Sequence, residues 1–223
     1  MTTPDPLDSL KTRLALLADP ARAVSMRAYQ RDQFDFLGVA TPARRAAVKE
    51  WAPRPPWPEL LALAGRLWDE PLREYQYAAI DLLDLRRKEL PVGAIDPLLA
   101  LARRKPWWET VDGMAGVIGK LLRAHRAGGA QEAMDAALRD DSFWIRRIAM
   151  THQLGWRLET DEARLFGYAL RLAPEREFFI RKAIGWALRD YAKWAPRNVA
   201  RFVDAHEDLL SPLTVREARR HLR

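Results

Sequence analysis

The sequence predicts an all-α chain organised as an α-solenoid of repeated helix pairs. Three observations predict it. Apolar residues recur at helical spacing through nearly every segment, with Ala, Leu and Arg dominant and few β-branched runs. Helix-start signals punctuate the chain, and no Asn-Gly or Asp-Gly turn lies between alternating apolar runs, so a sheet is not expected. Similar helices also recur about every 36 residues, the signature of stacked helical repeats.

In chain order, helices are expected over 6–18, 21–33 and 42–51. Asp5-Pro6 and Thr41-Pro42 open the first and third, because proline in a first turn lacks only an N–H that would have no helical partner. Pairs follow: 57–68 with 71–88, 92–104 with 107–125, and 130–139 with 142–156, then 160–172 with 175–193 and 195–206 with 213–222. Glu70-Pro71, Asp141-Ser142, Thr160-Asp161, Ala195-Pro196 and Ser211-Pro212 supply their start signals. Second helices share an aromatic start at Tyr75 and Tyr77, Trp107 and Trp108, Phe143 and Trp144, and Phe178 and Phe179. Residues 1–223 are read as one domain, with the second helices lining one concave face.

Composition narrows the function classes. With no cysteine in 223 residues, a disulfide scaffold, a thiol nucleophile and any cysteine-ligated zinc or iron–sulfur site are excluded. The start, MTTPDPLDSL, lacks the basic and then apolar build of a signal peptide. Charges interrupt every apolar run before membrane length, so a cytoplasmic chain is expected, nucleoid-associated when on DNA. His125, His152, His206 and His221 show no metal-ligand spacing, and no GxGxxG, Walker or GxSxG motif occurs, so neither metal nor cofactor is expected. The net charge of +7 favours a polyanionic partner. Arg (30) far outnumbers Lys (7), a skew that a GC-rich genome also produces, so charge alone leaves the partner open. Nine tryptophans is a high count, and most are expected in the core.

The candidate chemistry sits on the second helices. Trp108 and Asp112 are four residues apart and share a helical face, beyond which Met114, Val117, Ile118 and Leu121 form the buried stripe. Asp112 reads either as a solvated acid favoured by the helix dipole or as a functional carboxylate. In Phe143-Trp144-Ile145-Arg146-Arg147, Ile145 and Ile148 suit the core and leave Arg146 and Arg147 outside it, either as solubilising charge or as ligand contacts. Lys182, Trp186, Arg189 and Lys193 fall on a single stripe. An indole in a row of cations suits a phosphate backbone with a sugar or base better than a core. Residues 176–201 carry seven basic and two acidic side chains, which concentrates the positive charge here. In residues 38–49, Thr41, Arg44, Arg45 and Lys49 surround a helix start, where free N–H groups also bind phosphate.

The stretches FDFLGVATPARR (34–45), REYQYAAIDLL (73–83), KPWWETVD (105–112), DDSFWIRR (140–147) and REFFIRKAIGWALRDYAK (176–193) carry a resemblance. The chain resembles the AlkD-like DNA alkylation-repair glycosylases, a family of HEAT-like repeat proteins. The resemblance implies that Asp112 stabilises the breaking glycosidic bond, that Trp108 and Trp186 cradle the deoxyribose and phosphate, and that Arg147 holds the backbone. It further implies action without enclosing the modified base in a pocket, whereas most glycosylases flip their base. Glu109 departs from the aspartate common in relatives, about a quarter-turn from Trp108.

The expected activity is therefore removal of cationic purines such as 7-methylguanine and 3-methyladenine from double-stranded DNA by a monomer. The DNA contacts are Thr41, Arg44, Arg45, Lys49, Arg146, Lys182, Arg189 and Lys193. The alternative is a catalytically silent HEAT-repeat scaffold that binds DNA or RNA, from which Asp112 discriminates, since an acid facing a polyanion opposes binding. A protein-binding adaptor predicts no salt-sensitive DNA affinity at all.

Overall fold

Prolines and short capping side chains start the helices where the sequence places them. In the computed structural model, which describes residues 5–126 and 129–222, Asp5, Asp19, Asp161 and Ser211 each accept an N–H from the first turn that follows. These contacts satisfy donors that the helix itself leaves without partners. Residues 1–4 of the stretch read for a signal peptide lie outside the described residues.

Among the described residues there are thirteen α-helices and no strand. In order they are α1 (Pro6–Ala15), α2 (Pro20–Tyr29), α3 (Thr41–Trp51), α4 (Trp57–Asp69), α5 (Arg73–Leu85), α6 (Ile95–Ala102) and α7 (Trp108–Ala124). Then come α8 (Glu132–Ala137), α9 (Phe143–Thr151), α10 (Glu162–Leu172), α11 (Phe178–Ala192), α12 (Pro196–Ala205) and α13 (Pro212–Ala218). Each falls inside or within a residue of an expected span, although several are shorter. The span expected over 142–156 ends at Thr151, short of Gly155, whose φ of 77° is left-handed. The one expected from 92 begins at Ile95, after a 3-10 turn at Val92–Ala94. No helix among the described residues is long and apolar enough to cross a membrane, and no group of three or more His, Asp or Glu is placed to hold a metal ion.

The chain divides into two compact units, Met1–Pro91 and Val92–Arg223. In the first, α4 packs on α5 through Leu60, Leu63, Leu67 and Trp68 against Ala78, Ala79, Leu82 and Leu83. The fully buried Glu74 accepts the backbone N–H groups of Leu37, Gly38 and Val39 at 2.8–3.1 Å, which fixes the loop into α3. Three N–H donors satisfy the buried carboxylate, so its charge is not stranded.

In the second unit, α7, α9, α11 and α13 are neighbours in that order, and α6, α8, α10 and α12 pack beside them. Gly119 sets the closeness of α7 to α9, since a Cβ there would lie 1.9 Å from the His152 carbonyl oxygen. The repeat is written into the polar contacts. Arg103 with Asp140, Arg123 with Glu159, Arg147 with Asp112, Lys182 with Glu217 and Asn198 with Glu162 are all separated by 35–37 residues. Of the nine tryptophans only Trp68, Trp144 and Trp156 are buried, fewer than expected, and Trp51, Trp57, Trp107, Trp108 and Trp194 sit at or just beyond helix ends.

His152, just beyond α9, is wholly enclosed. Its Nδ1 donates to the Ala149 carbonyl at 2.6 Å, and Nε2 lies 3.1 Å from the Gln131 amide. Burial drives its pKa down to about 4, from an ordinary 6.5. The folded chain refuses a proton that the unfolded chain accepts. Stability from this group is therefore fully present above pH 6.5 and is lost as the pH falls toward 4. We expect roughly 3 kcal/mol of acid destabilisation from this residue. The difference between wild type and His152→Gln in urea unfolding at stepped pH measures it, and equal pH dependence in the two proteins would refute the assignment.

Candidate active site

The site is built from one position repeated on successive helices of the second unit. Asp112, Arg147 and Lys182 are each the fifth residue of their helix, in α7, α9 and α11, and Glu217 stands 35 residues further on in α13. Because neighbouring helices are in the same register, side chains at this position meet across the helix–helix seam.

Arg147 and Asp112 form a two-point ion pair. The Arg147 Nε donates to Asp112 Oδ1 at 2.7 Å and Nη2 to Oδ2 at 2.8 Å, while Nη1 donates to the Phe179 carbonyl. The Arg147 side chain is 4% exposed and that of Asp112 15%. The sequence placed Arg147 outside the core stripe of α9, and this is corrected. Only one of the adjacent arginines is buried, and the register with Asp112 selects which. Burial pushes the Asp112 carboxyl above its ordinary range, and the hydrogen bonds and charge of Arg147 pull against that. What results is a largely buried carboxylate whose orientation is fixed by a planar fork.

Aromatic rings cluster at the starts of the same three helices. Trp107 caps α7, Phe143 and Trp144 open α9, and Phe178 and Phe179 open α11. Their ring centres are 4.5–6.5 Å apart, and the Arg147 guanidinium lies 5.9 Å from the Phe179 ring centre. Trp108, half-buried, stands one turn before Asp112 on α7. Trp186, also half-buried, stands one turn after Lys182 on α11.

Most of the expected DNA-contacting cations already hold carboxylates. Arg146 is bound at two points by Glu175, at 2.7 and 2.8 Å, and also donates to the Asp140 and Asp141 carbonyls. Lys182 and Arg189 share Glu217, and Lys193 pairs with Asp190 at 3.1 Å. In the first unit, Arg44 is buried, held by Asp81 at 2.8 Å and stacked 4.9 Å over Tyr77, so it is not an open phosphate ligand. Arg45 pairs with Asp81 at 3.3 Å but stays exposed, and Thr41 and Lys49 are exposed on the same helix. The sequence reading missed the partner acids Asp81, Glu175 and Glu217. The 35-residue spacing from Lys182 to Glu217 was the available signal.

Comparison with known proteins settles the family. The profile of DNA alkylation repair enzymes matches residues 10–222. The chain belongs to this family. The structure of a predicted DNA alkylation repair enzyme from Enterococcus faecalis shares 31% identity, with a TM-score of 0.85 over 92% of this chain and 96% of that one. AlkD2 from Streptococcus mutans is 15% identical, with a TM-score of 0.64 over 81% of this chain and 89% of its own. The smu.31 protein of Streptococcus mutans UA159 is 14% identical, with a TM-score of 0.65 over 91% and 100%. The last two bear on fold alone. Among curated proteins nothing matches the chain.

Breaking a buried ion pair by removing one partner strands the other. Asp112→Asn or Arg147→Gln alone is therefore expected to cost about 3–5 kcal/mol. The apolar pair Asp112→Leu with Arg147→Met should recover most of that loss. Thermal unfolding of the three proteins checks this, and a double variant less stable than both singles would contradict it.

Proposed function

We propose that this DNA alkylation repair enzyme is a glycosylase, hydrolysing the N-glycosidic bond of cationic alkylated purines such as 7-methylguanine and 3-methyladenine in double-stranded DNA. The observation that carries the reading is the Asp112 carboxylate, largely buried, oriented at two points by Arg147 and one helical turn after Trp108.

A purine alkylated at its 3- or 7-position carries a positive charge and departs as a neutral base. The electron pair of the breaking bond leaves with it, and positive charge develops on the sugar. Water then adds to that carbon and loses a proton. A carboxylate about 4 Å from such a cation contributes roughly 4 kcal/mol at an effective dielectric near 20. The guanidinium behind Asp112 subtracts part of this, which leaves a factor of ~10²–10³ in rate.

In this mechanism Asp112 faces the sugar, and the indoles of Trp108 and Trp186 flank the sugar and phosphate. Arg147 acts as a positioning residue for Asp112 rather than as a backbone contact, because all its nitrogens are engaged inside the protein. Thr41, Arg45, Lys49, Lys182, Arg189 and Lys193 supply backbone contacts, with Arg44 and Arg146 holding helices in place behind them. The chain works as a monomer, with residues 1–223 acting as one functional domain.

Single-turnover assays on duplexes carrying one modified base test the reading. We expect release of 7-methylguanine and 3-methyladenine, and little or none of uracil or hypoxanthine, which leave poorly without a proton donor. Asp112→Asn, assayed at a temperature where circular dichroism shows it folded, should release ~10²–10³-fold more slowly while holding DNA at least as tightly. Excision of uracil at a rate comparable to 7-methylguanine would sink the mechanism.

The wild-type rate should also fall on acidification at a higher pH than an ordinary carboxylate would give. Burial raises the Asp112 pKa, and only the ionised form stabilises the sugar. A rate profile whose acid limb lies at or below the ordinary carboxylate range would contradict this.

A further inference from the structure

The α11–α13 seam holds a second charge cluster, built on an acid, Glu217, to which the proposed mechanism gives no role. Glu217 on α13 is 4% exposed and sits directly over Gly185 of α11, where a Cβ would come within 2.5 Å of the Glu217 Cβ. Gly185 lies three residues after Lys182 and four before Arg189, so the carboxylate sits midway between two cations on one helix face. It takes both. Lys182 Nζ donates to Oε1 at 2.7 Å, Arg189 Nη1 donates to Oε2, and Arg220 stands 3.7 Å off. Although burial opposes ionisation, these partners hold the Glu217 carboxyl below its ordinary range.

Two features set this cluster apart from the Arg147–Asp112 pair. It carries two long cations on one acid, so it keeps an excess of positive charge, whereas the Arg147–Asp112 pair is balanced. Its cations also bracket Trp186 along the helix, one turn after Lys182 and just under one turn before Arg189. The Lys182 side chain is 37% exposed and that of Arg189 19%, so both still reach solvent.

We infer that Glu217 is a positioning residue that holds Lys182 and Arg189 as a two-pronged clamp for one phosphodiester of the DNA backbone, with Trp186 against the adjoining sugar. This rests on the DNA-binding part of the reading above and adds to it the residue that organises the contact. A flexible lysine and arginine would otherwise each lose side-chain entropy on binding. Held in advance by a buried acid, they meet a phosphate with that ordering already done. The Lys193–Asp190 pair lies outside the clamp.

The inference makes a prediction opposite in sign to simple electrostatics. Removing an acid from a DNA-facing surface should tighten binding. Glu217→Gln should instead weaken affinity for a lesion-free duplex by tenfold or more, and lower the slope of log affinity against log salt by about one unit or more. Gly185→Ala, which displaces Glu217 while leaving every charge in place, should do the same. Equal or tighter binding by Glu217→Gln with an unchanged or steeper slope would overturn the inference.

The folded wild-type protein gives an independent arm. Neutral methylphosphonate, placed at each linkage of the duplex in turn, should reveal one linkage whose neutralisation lowers affinity and slope together. Lys182→Met and Arg189→Met, each leaving one partner on Glu217, should both reduce the sensitivity at that same linkage. No sensitive linkage, or different linkages for the two variants, would refute the clamp. Because these measurements use lesion-free DNA, they stand apart from base release. A protein that shows the clamp but frees no base disproves the glycosylase reading alone, and one that frees base without a sensitive linkage disproves the clamp alone.

Discussion

Consecutive second helices in the Val92–Arg223 unit come so close that Gly119 and Gly185 have no room for a β-carbon. At that separation a charged side chain at the seam is removed from water and must be answered by its counterpart on the next helix. Asp112 and Arg147 meet this condition at two points, and Glu217 meets it for Lys182 and Arg189. Desolvating two ions offsets most of what their attraction contributes, so such a pair does little for stability compared with an apolar pair of similar size. Its value lies in what it fixes. A carboxylate gripped by a guanidinium on one side keeps its charge in a dry surrounding and presents it in a single direction.

Internal ion pairs leave fewer open cations than the count of basic residues suggests. Arg146, Lys182, Arg189 and Lys193 each have a carboxylate within the protein, as do Arg44 and Arg45. Much of the affinity of a cation for DNA comes from counterions released by the DNA. An internal carboxylate does not remove that gain, but it screens the cation and limits where it can reach. Counting basic residues therefore overstates the number of phosphates such a surface engages. The contacts that count are cations in excess of their local acids, which points to clusters such as Lys182, Arg189 and Arg220 around one glutamate.

The helices were legible because their start signals are local. Proline, aspartate and serine act on the N–H groups next to them, so Asp5-Pro6, Thr160-Asp161 and Ser211-Pro212 read directly as boundaries. Helix ends were less legible, since Thr151 and Leu85 stop where tertiary packing and a turn take over. Trp108, Asp112, Arg147 and Trp186 were marked as candidates from spacing and family resemblance, but spacing within one helix does not say what faces them. Arg146 and Arg147 are indistinguishable in sequence, and one turns outward to Glu175 while the other is buried on Asp112. The 35-residue period carried that information, linking 112 to 147 and 182 to 217, and applying it to charged residues as well as to aromatic ones would have paired them.

The two influences on Asp112 point to different chemistries, and the geometry favours one. Burial raises its pKa, and a carboxyl with a raised pKa is the usual form of a general acid. Yet each of its oxygens accepts an N–H from Arg147, at 2.7 and 2.8 Å. A proton on either oxygen would turn part of that acceptor edge into a donor facing a group that has only donors, and would leave a buried guanidinium without its counterion. The fork therefore works to keep the carboxylate ionised against the pull of its surroundings. A group held in that state serves to stabilise positive charge and is poorly suited to delivering protons. That restricts the proposed reaction to bases that leave without one, which is the property cationic alkylation confers on a purine.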